Sequence, residues 1–226
     1  MNLLAFDTST DVGSVALVQD GILLAEQMIR SPMNLLTWLS PTIQKMLKEA
    51  GISPDKLNGL AVGIGPGSFT GIRLQMSTAR AFAQVRKVPL YGISGLETLA
   101  YQILPYRGYI LSCIDARRGE LFYGIFEANG DALTIKEEFG CLPPDRVLEK
   151  AQKYQGEWII VGETNPYLEF LLKGLPHSLY ANRIGIIRAS TIGILAYQKK
   201  DQLNGDPFSV QPLYLRASNA EIEKRA

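Results

Sequence analysis

Histidine is almost missing from this chain: His177 is the single one in 226 residues, and cysteine occurs twice, as Cys113 and Cys141. One imidazole leaves no His-pair metal motif, and two distant cysteines outside any C-x-x-C pair leave neither a Cys-rich zinc site nor a disulfide framework. An excess of either charge is missing too. The 23 Lys+Arg and 22 Asp+Glu give a net charge of +1, so no global basic field exists to hold a nucleic-acid backbone. Any RNA contact must be local or borrowed from a partner. No apolar run approaches the ~20 residues that a membrane span needs. The opening stretch Met1-Asn-Leu-Leu-Ala-Phe-Asp7 lacks a basic leader and turns polar too early for a signal peptide. A cytoplasmic location with both thiols reduced is the expectation.

What remains is the composition of an ordinary globule, 46% hydrophobic and 20% charged. Short apolar stretches at Leu3–Phe6, Ser14–Val18 and Ile22–Ile29 read as strands, the last two joined by the tight-turn pair Asp20-Gly21. From about Asn34 to Ala50, Leu35, Leu39, Ile43, Met46 and Leu47 recur at helical spacing and Gly51 supplies the stop. A strand at Leu60–Ile64, a helix from about Phe69 to Arg86 and a strand at Leu90–Ile93 follow. Ser94-Gly-Leu-Glu97 then reads as a capping box opening a helix that ends before Pro105.

The second half repeats the order. Strands at Tyr109–Ile114, Leu121–Glu127 and Ala132–Phe139 precede a helix opened by Pro144 and running to about Tyr154, a strand at Trp158–Gly162 and a helix from about Pro166 to Leu172. Thr191–Lys200 is a further amphipathic helix. Each half is thus β-β-β-α-β-α, which predicts a duplicated α/β fold of the actin-like (ASKHA, ribonuclease H-like) type, with subdomains 1–104 and 105–226 and a C-terminal tail that can pack back.

The most distinctive segment is Gly63-Ile-Gly-Pro-Gly-Ser-Phe-Thr-Gly-Ile-Arg73, which leaves a strand and enters a helix. Gly65, Gly67 and Ser68 can present backbone N–H groups to an anion at the helix N-terminus, or simply permit a tight turn capped by Ser68. No Gly-Lys-Ser/Thr follows, so the loop is not a P-loop. Asp7 and Asp115 each follow the first strand of a half, where actin-like ATPases grip phosphates and magnesium, and they complete a candidate anion or nucleotide loop. In the helix after the glycines, Ile72, Met76, Ala79 and Ala83 form one apolar stripe, and Leu74, Thr78, Ala81, Phe82 and Val85 a second. One stripe suffices to pack a helix on its own sheet. The second must meet another element of this chain or a partner.

Gly65-Pro-Gly-Ser-Phe-Thr-Gly-Ile-Arg73, together with Phe6-Asp-Thr-Ser-Thr10, Asp115-Ala-Arg-Arg-Gly-Glu120 and Pro212-Leu-Tyr-Leu-Arg216, resembles the TsaB (YeaZ) family over nearly the whole chain. The resemblance implies two actin-like subdomains and a non-catalytic subunit that pairs with TsaD, an actin-like paralogue, in forming threonylcarbamoyladenosine at position 37 of tRNAs reading ANN codons. It implies a homodimer in isolation, a TsaE-type ATPase in the larger assembly, tRNA contact only through the complex, and ATP or ADP with magnesium at the heterodimer interface rather than tightly held by this chain. It also implies a partner surface built from the first two helices, which here maps to Leu36, Ile43, Phe69, Arg73, Leu74, Thr78, Ala81, Phe82 and Val85. Many relatives carry a histidine early in the first helix, where this chain has Met33-Asn-Leu-Leu36.

Two functions of different class follow. One is an assembly subunit with no catalytic or metal-ligating residue of its own. The other is an actin-like ATPase or small-molecule kinase built on Asp7 and Asp115.

Overall fold

The computed structural model describes residues 1–31, 35–163, 166–182 and 185–216. Strands β1 (Asn2–Asp7), β2 (Val12–Gln19) and β3 (Ile22–Arg30) form an antiparallel meander. Helix α1 (Leu35–Glu49), strand β4 (Gly59–Gly63), helix α2 (Phe69–Arg86), strand β5 (Leu90–Ile93) and helix α3 (Gly95–Tyr101) follow. The second half comprises β6 (Tyr106–Arg117), β7 (Glu120–Gly130), β8 (Ala132–Ile135), β9 (Gly140–Leu142), α4 (Pro144–Ala151), β10 (Trp158–Gly162), α5 (Leu168–Gly174), β11 (Ser178–Tyr180) and α6 (Ala189–Lys199).

The duplication is visible in the sheets. The first has the order β3-β2-β1-β4-β5 and the second, read from the same end, β8-β7-β6-β10-β11, with β9 also pairing β7. In both, the first strand of the half is antiparallel to the second and parallel to the strand after the crossover helix. The sequence pattern gives this order of elements but runs the third strand of the second half through to Phe139. The strand instead stops at Ile135, because Glu137 turns to an ion cluster with Lys150 and Lys153 and the chain re-pairs with β7 as β9. Strand β11, only three residues long, carries too little pattern to read.

The chain forms two compact units, Met1–Thr98 with Ile187–Leu213, and Leu99–Ile186 with the segment from Tyr214. The division falls within α3 rather than at Pro105, and the segment carrying α6 returns to the first unit. The expected boundaries 1–104 and 105–226 are corrected accordingly. The physical reason lies in the first sheet, whose central strand β1 is apolar on both faces, with Leu3, Leu4 and Ala5 0% exposed. Leu4 and Phe6 point with Val15, Leu60 and Val62 toward Leu39, Ile43 and Met46 of α1 and Ile72, Met76 and Ala79 of α2. Ala5 lies on the other face, where Gly193 of α6 approaches so closely that a Cβ there would stand 3.2 Å from the Ala5 Cβ and 2.7 Å from Val18 Cγ2. Without α6, half of β1 would face water.

Helix α6 is anchored at both ends. Ser14 Oγ accepts from Ala189 N–H at 2.9 Å, and Glu26 Oε1 accepts from Ser190 N–H at 3.0 Å and Ser190 Oγ at 2.8 Å, so two strands supply the N-terminal caps that Arg188 lacks. Arg188 pairs with Glu26, and Lys199 at the far end pairs with Glu97 of α3. That pairing corrects the capping-box expectation. Ser94 Oγ accepts from Leu96 N–H at 3.2 Å as a cap should, but Glu97 turns to Lys199. In the second unit, α4 and α5 cover a face of the sheet through Val147, Ala151, Leu171 and Leu175 against Leu111, Cys113, Trp158 and Ile160. No helix among the described residues is long and apolar enough to cross a membrane.

Candidate functional site

The glycine-rich run lies against the turn between β1 and β2. Ser68 caps α2, its Oγ accepting from Gly71 N–H at 3.2 Å, and the Ser68 N–H donates to the Ser9 carbonyl at 2.7 Å. A Cβ on Gly67 would stand 2.2 Å from that same carbonyl, so only glycine lets the two loops close. Gly65 is buried behind them; Gly67 is half-buried and Ser68 exposed.

Asp7 closes the other side of this contact. It is 0% exposed, and its Oδ1 accepts from Ser9 N–H at 2.9 Å and Ser9 Oγ at 2.8 Å. Its Oδ2 accepts from Gln75 Nε2 at 3.3 Å. Burial pushes the carboxyl pKa upward, against the lowering effect of the bonds from Ser9 and Gln75. The adjacent Thr8 N–H donates to Gln75 Oε1. With Asp7 and Thr8 at most 1% exposed, and the N–H groups of Thr8, Ser9 and Ser68 all donating within the protein, this turn offers an outside phosphate none of those donors and a magnesium ion no face of Asp7. A nucleotide and its metal do not fit this turn as it stands.

Asp115 lies in the last turnward stretch of β6 in the second unit, two residues before its end at Arg117 and at a register shift against β7. Its Oδ1 accepts from Arg117 N–H at 2.8 Å and its Oδ2 lies 3.5 Å from Arg117 Nη1. Arg118 and Gly119, both with positive φ (56° and 82°), are the two central residues of the β6–β7 hairpin turn, so Asp115 serves first to hold a tight turn. His177, also at positive φ (58°), is exposed in the loop before β11. Among the described residues no group of three or more His, Cys, Asp or Glu is arranged to hold a metal ion.

The two stripes of α2 part as their spacing requires. Ile72, Met76, Ala79 and Ala83 are buried at 0–2% exposure. On the opposite side Arg73 and Ala81 are exposed, Leu74 and Thr78 half-buried, and Val85 is 78% exposed. Phe69 is half-buried with the Arg73 guanidinium 3.8 Å over its ring, and Phe82 sets one edge against the core while keeping part of its surface. Ile43 is a correction to the surface mapped from resemblance. At 5% exposure it belongs to the core between α1 and the sheet and has no surface to offer. The side chain of Leu36 and residues 32–34, Met33 and Asn34 among them, lie outside the described residues.

Gln75, which holds Asp7 and Thr8 together, belongs to none of the motifs or stripes singled out above. The signal was available: it stands three residues after Ile72 and four before Ala79, a carboxamide on the buried stripe where the helical period calls for hydrocarbon.

Two sheets of matching strand order and direction, one in each half, make this a duplicated α/β fold of the actin-like type, and solved structures agree. A ROK family protein from Streptococcus pneumoniae superposes with a TM-score of 0.52 at 10% identity, covering 90% of this chain and 100% of that one, a likeness of fold alone. YeaZ from Pseudomonas aeruginosa superposes with a TM-score of 0.82 at 27% identity, covering 95% of this chain and 99% of that one. The family model of TsaD, tRNA N6-adenosine threonylcarbamoyltransferase, matches residues 33–224. The tRNA threonylcarbamoyladenosine biosynthesis protein TsaB of Bacillus subtilis is 32% identical over 99% of this chain and 97% of its own length. That of Escherichia coli is 36% identical over 72% and 71%. The chain belongs to the TsaB (YeaZ) family.

Proposed function

We propose that this chain takes part in tRNA threonylcarbamoyladenosine biosynthesis as the subunit that binds a TsaD-family paralogue without performing the transfer itself, and that the pair modifies adenosine 37 of tRNAs reading ANN codons. The observation that carries this reading is the outer face of α2. Leu74, Thr78, Phe82 and Val85 keep exposed surface on a helix whose other stripe already closes the core. A helix presenting small and apolar groups on its free side offers the close, desolvated contact that a stable protein interface needs. The same face serves a homodimer when the paralogue is absent. A TsaE-type ATPase and tRNA join through the complex, in keeping with a net charge of +1.

The alternative, an ATPase or kinase built on Asp7 and Asp115, has less support. Asp7 is sealed from solvent by Ser9 and Gln75, and Asp115 is engaged by its own turn. Any nucleotide in the assembly then rests on groups other than the Asp7 turn. Reconstitution tests the reading. The paralogue should form threonylcarbamoyladenosine on tRNA only when this chain is added; modification by this chain alone, or undiminished modification without it, would contradict it.

A further inference from the structure

Gln75 is buried at 0% exposure, and its carboxamide uses every hydrogen-bonding position it has. Oε1 accepts from the N–H of Thr8 and, at 3.0 Å, from Thr8 Oγ1; Nε2 donates to the Gly63 carbonyl at 2.5 Å and to Asp7 Oδ2 at 3.3 Å. One side chain of α2 therefore ties down the turn after β1 and the end of β4 together.

The remainder of the α2 contact with the sheet is of a different kind. Ile72, Met76, Ala79 and Ala83 are smooth and apolar, two of them alanines, and apolar contact is non-directional, so it resists separation more than it resists sliding or rotation about the helix axis. Hydrogen bonds weaken steeply when bent or stretched, so four of them on one carboxamide define a register. Leu74, Thr78, Phe82 and Val85 stand at −1, +3, +7 and +10 from Gln75 on the same rigid helix, and whatever fixes Gln75 fixes where all four are presented.

We propose that Gln75 is a positioning residue for partner binding: its buried carboxamide sets the register of α2 on the β1–β2 turn and thereby the placement of the outward face that receives the TsaD-family paralogue. It touches no partner and acts through the helix. The inference rests on the reading of that face under the proposed function.

The test uses the full chain and the purified TsaD-family paralogue of the same organism, with affinity measured by calorimetry. Gln75→Ala, confirmed as folded by circular dichroism, should bind about tenfold or more weakly, because a mobile α2 presents its face in the competent placement only part of the time. Gln75→Glu, confirmed as folded by circular dichroism at every pH used, adds a pH-dependent readout of the same contact. Its retained oxygen still accepts from Thr8, but the other faces the Gly63 carbonyl and the Asp7 carboxylate, with the Thr8 and Ser9 hydroxyls nearby, and is satisfied only while a proton is shared there. Two buried carboxylates in contact do not both ionise without cost. Partner affinity of Gln75→Glu should therefore fall as pH is raised from about 5.5 to about 8, well beyond any change in the wild type. A folded Gln75→Ala that binds within about twofold of wild type, or a Gln75→Glu profile parallel to the wild type, overturns the inference alone. Failure of the wild type to bind the paralogue overturns the functional reading, and this inference with it.

Discussion

Gly63 and Asp7 stand so close that a Cβ on the glycine would lie 1.8 Å from the Asp7 Oδ2. Neither partner can give way, since Gly63, the last residue of β4, is paired with Ile93 of β5 and bound through its carbonyl to Gln75, and the Asp7 carboxylate is held by Ser9 and Gln75. Gly63→Ala should therefore destabilise the fold by ~3 kcal/mol or more, a large value for one methyl group. Urea unfolding checks it.

The buried carboxyl of Asp7 makes stability depend on pH. Burial raises its pKa in the folded protein above the ordinary value of 3.8, so the folded state holds this proton more tightly than the unfolded chain. The contribution is fully present below pH 3.8 and is lost as pH rises through the raised folded-state value. Compared across that window, the stability of Asp7→Asn should gain on the wild type as pH increases. Paired denaturant titrations at several pH values measure the difference, and a gap constant with pH would contradict the assignment.

Helix α6 depends on Glu26, a carboxylate buried in the first unit although β3 is an edge strand. Glu26→Ala removes the acceptor for Ser190 N–H and Ser190 Oγ together with the partner of Arg188. Since Arg188 is partly solvated, the charge pair counts for less than the lost helix caps, and the expected cost is about 2 kcal/mol. Hydrogen exchange should locate the loss at the start of α6.

Both thiols should be sluggish in the native protein. Burial pushes Cys113 up to about 12, and burial with the neighbouring Glu120 pushes Cys141 up to about 11, so little thiolate forms near neutral pH. Alkylation by iodoacetamide at pH 8 should label half-buried Cys141 slowly and Cys113 only on unfolding.

Much of this fold is legible in the sequence because the local signals agree with one another. The Asp20-Gly21 turn, the apolar alternation of the meanders and the α2 stripes all point to the same elements, and the repeat of β-β-β-α-β gives the matching sheet orders. What is not legible depends on contacts distant in sequence. The return of α6 follows from the need to cover the second face of β1, and the diversion of Glu97 from its capping box follows from Lys199, which arrives only when α6 does. At the candidate site, the exposure of Val85 agrees with the spacing of its stripe, whereas the burial of Ile43 separates a residue mapped by resemblance from one with surface to give. Asp7 and the glycine loop are visible in the sequence as a motif, but their mutual closure through Gln75 exists only once β1, β4 and α2 are side by side.

If the outer face of α2 seats the paralogue, Val85→Glu should separate the two proteins. Val85 is 78% exposed, so the substitution should leave fold stability within about 0.5 kcal/mol of wild type. Within a packed interface the new carboxylate would be desolvated without a partner, and the complex with the TsaD-family paralogue should be lost in size-exclusion chromatography and calorimetry. Wild-type affinity in a folded Val85→Glu protein would show that this face does not receive the paralogue.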